Sequence, residues 1–253
     1  MNTVLVALII FAVMFGGALL GVFLKSILPE HHLGADSKDV VKLSIGLVAT
    51  MTALILGLLV GSVKNSFDSK NDEYNRICSN LVLLDRVLAQ YGPETKAIRL
   101  ILLAAVTARS EELTERTTDR VTKADAFKSM VIIERMQAMI RALAPADESQ
   151  KELRERAISV SSEIASARWH LLGGVASAIP TPFLVMIVIW LGIIFLSFGI
   201  YAPRNGTAIS ALFLAAACSA GALFLVLEMN RPFDGLIHLS NRPLENAARF
   251  IGK

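Results

Sequence analysis

Residues 49–61 read ATMTALILGLLVG, an uncharged stretch with a small residue at Ala49, Ala53, Gly57 and Gly61. It lies inside a longer uncharged run, Leu43–Val63, which matches the roughly 20 residues a helix needs to cross the hydrocarbon core of a bilayer. At about 100° per residue, Gly46, Ala49, Thr50, Ala53, Gly57 and Gly61 fall within one sector of roughly 120°. Val48, Met51, Ile55, Leu58 and Leu59 point the other way. Lipid offers no hydrophobic drive between helices, so close backbone approach at small residues is what holds crossings together. The slim face therefore either packs against a helix, within or between subunits, or lines a pore in which Thr50 offers a hydroxyl.

Three further uncharged runs, Thr3–Leu24, Phe183–Tyr201 and Thr207–Leu227, have the same length class. With 54% hydrophobic residues and a mean hydropathy of +0.56, the chain is too apolar for an ordinary soluble domain and is a multi-pass membrane protein. The first run is read as a retained helix: nothing basic precedes it, it outlasts a typical signal-peptide core, and no small-residue cleavage site follows. The net charge of +3 reflects Lys and Arg at membrane ends and points to no nucleic-acid partner. Cys78 and Cys218 belong to segments that should not meet, which argues against a disulfide or a thiolate metal site.

Four crossings place the N-terminus, the segment 64–180 and the tail 228–253 on one side. Lys64, Lys70, Arg168, Arg231, Arg242, Arg249 and Lys253 flank that side, against Lys25, Lys38, Lys42 and Arg204 on the other, so the positive-inside rule makes it cytoplasmic. The expected organisation is all-α: a first transmembrane pair over 1–63, a cytoplasmic helical domain over 64–180, a second pair over 181–227 and a cytoplasmic tail. In the inserted segment, Tyr74, Ile77, Leu81, Leu84, Leu88 and Tyr91 make a coiled-coil-like seam. No Gly or Pro lies between Gly61 and Gly92, so the second crossing should run on unbroken beyond the membrane.

Gly92-Pro93 ends that helix and starts the next, whose stripe is Ile98, Ile101, Leu102, Ala105 and Ala108. A further helix carries Phe127, Met130, Ile133, Met136, Ile140 and Leu143 up to Pro145. Asp147 caps another, through Leu153, Ile158 and Ile164 to Trp169. Each stripe needs a cover, which predicts a helical bundle, or self-association of the long helix. Among the crossings, the third has few small residues and is expected outermost against lipid, with the second most central.

Asp39, Lys42, Lys64 and Asp68 extend the slim sector beyond both ends of the second crossing and are candidate pore-mouth charges. Their charges nearly cancel and each Lys has an Asp one turn away, so no sign of ion selectivity follows. Past the fourth crossing, EMNRPFDGL is a membrane-exit turn in which Pro232 stops the helix. Its Glu228, Arg231 and Asp234 are also candidates for a cytoplasmic gate. His31 and His32, beside Glu30 and Asp36, are adjacent in a solvated loop and make a poor metal site; His170 and His238 stand singly. No nucleophile–base set, phosphate-binding loop or dinucleotide fingerprint occurs, so neither an enzyme nor a cofactor is expected. Uncharged crossings argue against a proton-coupled carrier.

The stretches DVVKLSIGLVATMTALILGLLVGSVKNSFDSKNDEYN and LEMNRPFDGLI, with a Pro-containing entry AIPTPF before the third crossing, resemble the bacterial bestrophin-like domain integral membrane proteins of unknown function. The resemblance covers nearly the whole chain and implies a distant relation to bestrophin anion channels, which are pentamers. The expected partners are the lipid bilayer, further copies of the chain and small inorganic ions. The leading expectation is a homo-oligomeric inner-membrane channel with its pore around the second crossing. The alternative is a non-conducting scaffold that recruits another protein through its cytoplasmic helices.

Overall fold

The computed structural model describes residues 3–27, 35–115, 123–173, 179, 181–230 and 239–252. Every regular element among them is helical: α1 (Thr3–Leu24), α2 (Ala35–Tyr91), α3 (Lys96–Glu115), α4 (Lys123–Arg141), α5 (Glu148–Gly173), α6 (Thr181–Tyr201), α7 (Gly206–Met229) and α8 (Arg242–Phe250), with a 3₁₀ turn at Pro93–Thr95. Helices α1, α2, α6 and α7 are long and apolar enough to cross a membrane. The chain forms two compact units, Met1–Ser66 with Ser177–Arg231, and Phe67–Ala176 with Pro232–Lys253. Helix α2 is continuous through 57 residues and contributes to both, as the absence of Gly and Pro between Gly61 and Gly92 required.

In the first unit α1 is the hub. A side chain on Gly21 would run into the Leu196 carbonyl, and one on Gly199 into the Ala18 carbonyl. A Cβ on Gly17 would come within 3.1 Å of the Gly192 carbonyl. The backbones of α1 and α6 thus touch at glycines spaced by four residues on one helix and seven on the other, spacings that keep them on one face. Above and below this crossing Ile10, Met14, Ala18, Ile187, Leu191 and Phe195 are buried. Helix α7 closes on α1 through Ala216, Ala220 and Leu223 and through an aromatic trio: Phe213 meets Phe11 and Phe15 edge-on at 5.3 and 5.4 Å. Loop ends are tied by cations: the Lys25 ammonium donates to the Ala202 carbonyl at 2.8 Å, and Arg204 to the Val22 carbonyl at 3.3 Å. Both satisfy carbonyls that a helix C-terminus leaves open.

Within one chain, the expected order of burial is reversed. The third crossing, α6, is wedged against α1 by Gly192 and Gly199, whose spacing of two full turns the small-residue count did not reveal. The second joins the core only through Thr52, Leu59 and Val63, with Ile55 and Leu56 partly covered.

The second unit buries the predicted seam: Ile77, Leu81, Leu84, Leu88 and Tyr91 of α2 lie against Ile98 and Leu102 of α3, Ile133, Met136 and Ile140 of α4, and Val160 and Ile164 of α5. On α3 the stripe turns inward at Val106 rather than at Ala108, which is exposed; the larger side chain takes the core position. Gly92 takes φ 137°, a conformation open to glycine, and the buried Thr95 hydroxyl closes the turn by donating to the Gly92 carbonyl at 2.8 Å. Asp147 caps α5 as read, accepting from the Gln150 amide at 2.7 Å, while the Gln150 side chain accepts from the Ala146 amide at 2.8 Å.

Asp85, fully buried on α2, accepts two hydrogen bonds from the Arg99 guanidinium of α3, at 2.8 and 3.0 Å. Its Oδ2 also accepts from the Gly252 amide at 3.2 Å, and the neighbouring Arg86 donates to the Phe250 carbonyl at 2.7 Å. One carboxylate thus pins two helices and the C-terminal residues, and its hydrogen bonds hold the Arg99 pKa above its ordinary value.

Gly199→Leu is expected to cost about 2–3 kcal/mol by forcing α1 and α6 apart, while Gly16→Leu, with open space around it, should change stability by under about 0.5 kcal/mol; chemical unfolding in detergent measures both. Asp85→Asn should cost about 3 kcal/mol, because Arg99 keeps its charge and loses the carboxylate charge it grips, and limited proteolysis should then release the residues after Asn241 first.

Candidate functional site

The slim sector of α2 stays open within its own chain. Cβ atoms built on Gly46, Gly57 and Gly61 would meet nothing within 4 Å. Thr50 and Ala53 are exposed and Ala49 is half-covered. The flanking apolar residues are bare too: Leu47 is 64% exposed, Leu54 66% and Leu58 67%. The contrast with α1 and α6 is physical. Both surfaces carry glycines at helical spacing, but one pair is already closed backbone to backbone, whereas the α2 glycines have no partner atoms in contact.

The hydroxyl chemistry of this face is partly committed. Thr50 donates to the Gly46 carbonyl at 2.8 Å, so it presents its oxygen lone pairs outward, as an acceptor. Thr52, on the buried side, donates to the Val48 carbonyl at 2.7 Å. Both follow the back-bonding that satisfies a hydroxyl in an apolar helix.

At one end of the crossing Lys42 and Asp39 form an exposed pair at 3.7 Å, a geometry worth little in water. Lys64 and Asp68 at the other end are exposed as well. Glu228 occupies the last turn of α7, where it is buried, and Asn230 caps that helix. Arg231 and Asp234 lie outside the described residues, so of the three gate candidates only Glu228 is placed. Glu228 is also an ionisable side chain within an apolar helix, a placement that costs free energy and that membrane proteins reserve for specific tasks. His31, His32 and His238 fall outside the described residues, and among the described ones no cluster of His, Cys, Asp and Glu has the makings of a metal site. Cys78 and Cys218 are free thiols.

This arrangement, with α1, α6 and α7 closed on one another and the small face of the long α2 open, sits in a sequence whose residues 10–244 match the model of the bestrophin-like domain. The chain belongs to the bestrophin-like domain family. That family is known for ion channels, which agrees with a membrane protein whose crossings carry almost no charge. No curated protein and no solved structure matches this bestrophin-like chain. The match covers most of the first crossing, the other three and the helices between them, so the slim face and Glu228 both lie within the family domain.

A bestrophin-like chain with Ala53→Cys, in a Cys78→Ala, Cys218→Ala background, should form disulfide-linked dimers in membranes under mild oxidation. Leu214→Cys, also exposed but on α7, should not; non-reducing electrophoresis reads the difference.

Proposed function

We propose that this protein assembles with copies of itself into an ion channel of the bacterial inner membrane, in which the second crossing turns its slim face toward the axis. The segment 64–180 forms a cytoplasmic vestibule, with both termini on the same side. The single observation that carries the reading is the open face of α2: Gly46, Gly57 and Gly61 without contacts, on the least covered of the four membrane helices. Dispersion contacts drive association in lipid, and they are unmade along that whole face.

Two further observations support conduction. The described crossings hold no Asp, Lys or Arg between Leu43 and Val63 or along α6, so the proposed path has no fixed charge to trap an ion in mid-membrane. In this reading the buried Glu228 at the end of α7 belongs to the gate, and the charged ends of α2, Asp39, Lys42, Lys64 and Asp68, are the mouth residues. Arg231 and Asp234 complete the proposed gate in sequence.

Purified protein in planar bilayers is expected to carry single-channel current under a salt gradient. Gly57→Leu should reduce that current by roughly tenfold or more with the oligomer intact by light scattering. A wild-type oligomer silent under every ion gradient, or a Gly57→Leu variant that falls apart instead of blocking, would show that the face only packs and that the assembly is a scaffold.

A further inference from the structure

The helical unit carries a cleft for which the channel reading has no use. Positions 75, 78, 79 and 82 of α2 and 243, 246, 247 and 250 of α8 line it. Both sets follow the i, i+3, i+4, i+7 spacing of a single helix face, so two stripes look at each other across the space. Cys78 and Ala247 form the floor, at 3% and 2% exposure, and both side chains are small enough to leave room above them. The volume is about 260 Å³, a little under the roughly 300–1,000 Å³ of pockets that hold drug-sized ligands. That space suits a molecule with one ring and is too small for a nucleotide or a peptide.

Two contacts fix the direction in which α8 runs along α2. Arg86 donates to the Phe250 carbonyl at 2.7 Å, and the Gly252 amide donates to Asp85 at 3.2 Å. The last turn of α8 therefore lies toward the Val82 end of the cleft, and its first turn, with Pro243, toward the Asn75 end. Seven residues advance a helix by about 10 Å, so the two stripes match in length. The cleft is polar where Asn75, Ser79 and Asn246 stand and apolar where Val82 and Phe250 stand. The Phe250 ring is left more than half uncovered by the protein itself.

Among the described residues no charged side chain lines the cleft, and burial holds the Cys78 thiol protonated, its pKa pushed up to about 11. An ion entering this space would exchange its hydration for neutral amides and gain no counter-charge. A hydrocarbon would cover Asn75, Ser79 and Asn246 and leave their polar atoms unpaired. An asparagine side chain holds a donor beside an acceptor, and its complement is another amide. An aromatic ring at the other end is complemented by a second ring, stacked or edge-on. We propose that the cleft between α2 and α8 binds a small uncharged aromatic amide, its ring against Val82 and Phe250 and its amide edge paired with Asn75, Ser79 and Asn246. Bound there, the ligand bridges the two helices and adds to the anchorage that Asp85 and Arg86 give α8. The site is independent of whether the assembly conducts.

The test uses the full-length protein in phosphatidylcholine nanodiscs, with benzamide titrated by calorimetry at constant ionic strength and its effect on thermal unfolding recorded. Wild type should bind benzamide saturably and unfold at a higher temperature in its presence. Benzoate, of similar shape but charged, and acetamide, an amide without the ring, should each bind roughly tenfold more weakly or worse. Ser79→Leu pushes a branched side chain into the cleft from an exposed position and should weaken benzamide by roughly tenfold or more. Asn246→Ala, also at an exposed position, should weaken it by a few-fold, while Gln90→Ala, exposed on α2 outside the cleft, should leave it unchanged. Asn246→Ala removes only an amide, so it reports on the site even where Ser79→Leu fails to fold. Benzamide binding that is absent, that benzoate or acetamide equals, or that is the same in wild type, Ser79→Leu and Asn246→Ala overturns the proposal.

Discussion

The membrane unit depends on one contact, the backbone-to-backbone approach of α1 and α6 at Gly17, Gly21, Gly192 and Gly199. In a bilayer the surrounding acyl chains are as apolar as any side chain, so burial of Leu or Ile against Ile gains little over burial in lipid. What distinguishes one helix pairing from another is how closely the backbones come, because dispersion falls steeply with distance. With α6 locked on α1 in this way and α7 added through Phe213 and the alanine side of its surface, three crossings satisfy one another. The second crossing, α2, is left to present its own glycines outward.

That division gives the second crossing its significance. A helix whose Gly46, Gly57 and Gly61 touch nothing has the same composition as the closed interface but none of its contacts. In the proposed assembly a second copy of the chain supplies them, and the same slim surface leaves room for ions around the axis. Helix α2 continues without a break to Tyr91 and also supplies the seam of the second core.

The second unit is held by different physics. In the proposed arrangement water is the competing solvent here, and the buried Leu84, Leu88, Leu102 and Ile140 supply the ordinary hydrophobic drive. Specific register comes from polar contacts in that core: Asp85 with Arg99 and the Gly252 amide, the Thr95 hydroxyl at the Gly92 turn, and the cap at Asp147. A buried carboxylate is tolerated because its oxygens are occupied by a guanidinium fork and an amide.

Local properties were legible in the sequence by itself. Four uncharged runs of crossing length, the continuity of α2 through a stretch without Gly or Pro, the Gly92-Pro93 break, the Asp147 cap and the α2 seam all follow from solvation and backbone sterics within a few turns of chain. Which small face is spent and which is left open could only be decided by tertiary structure. The glycines of α1, α2 and α6 look alike along the chain, and only packing assigns Gly199 to Ala18 while leaving Gly57 bare. For the same reason Val106 displaced Ala108 from the core and Asp85 found Arg99 fourteen residues on. Pairing is a property of two surfaces, and a linear pattern describes only one at a time.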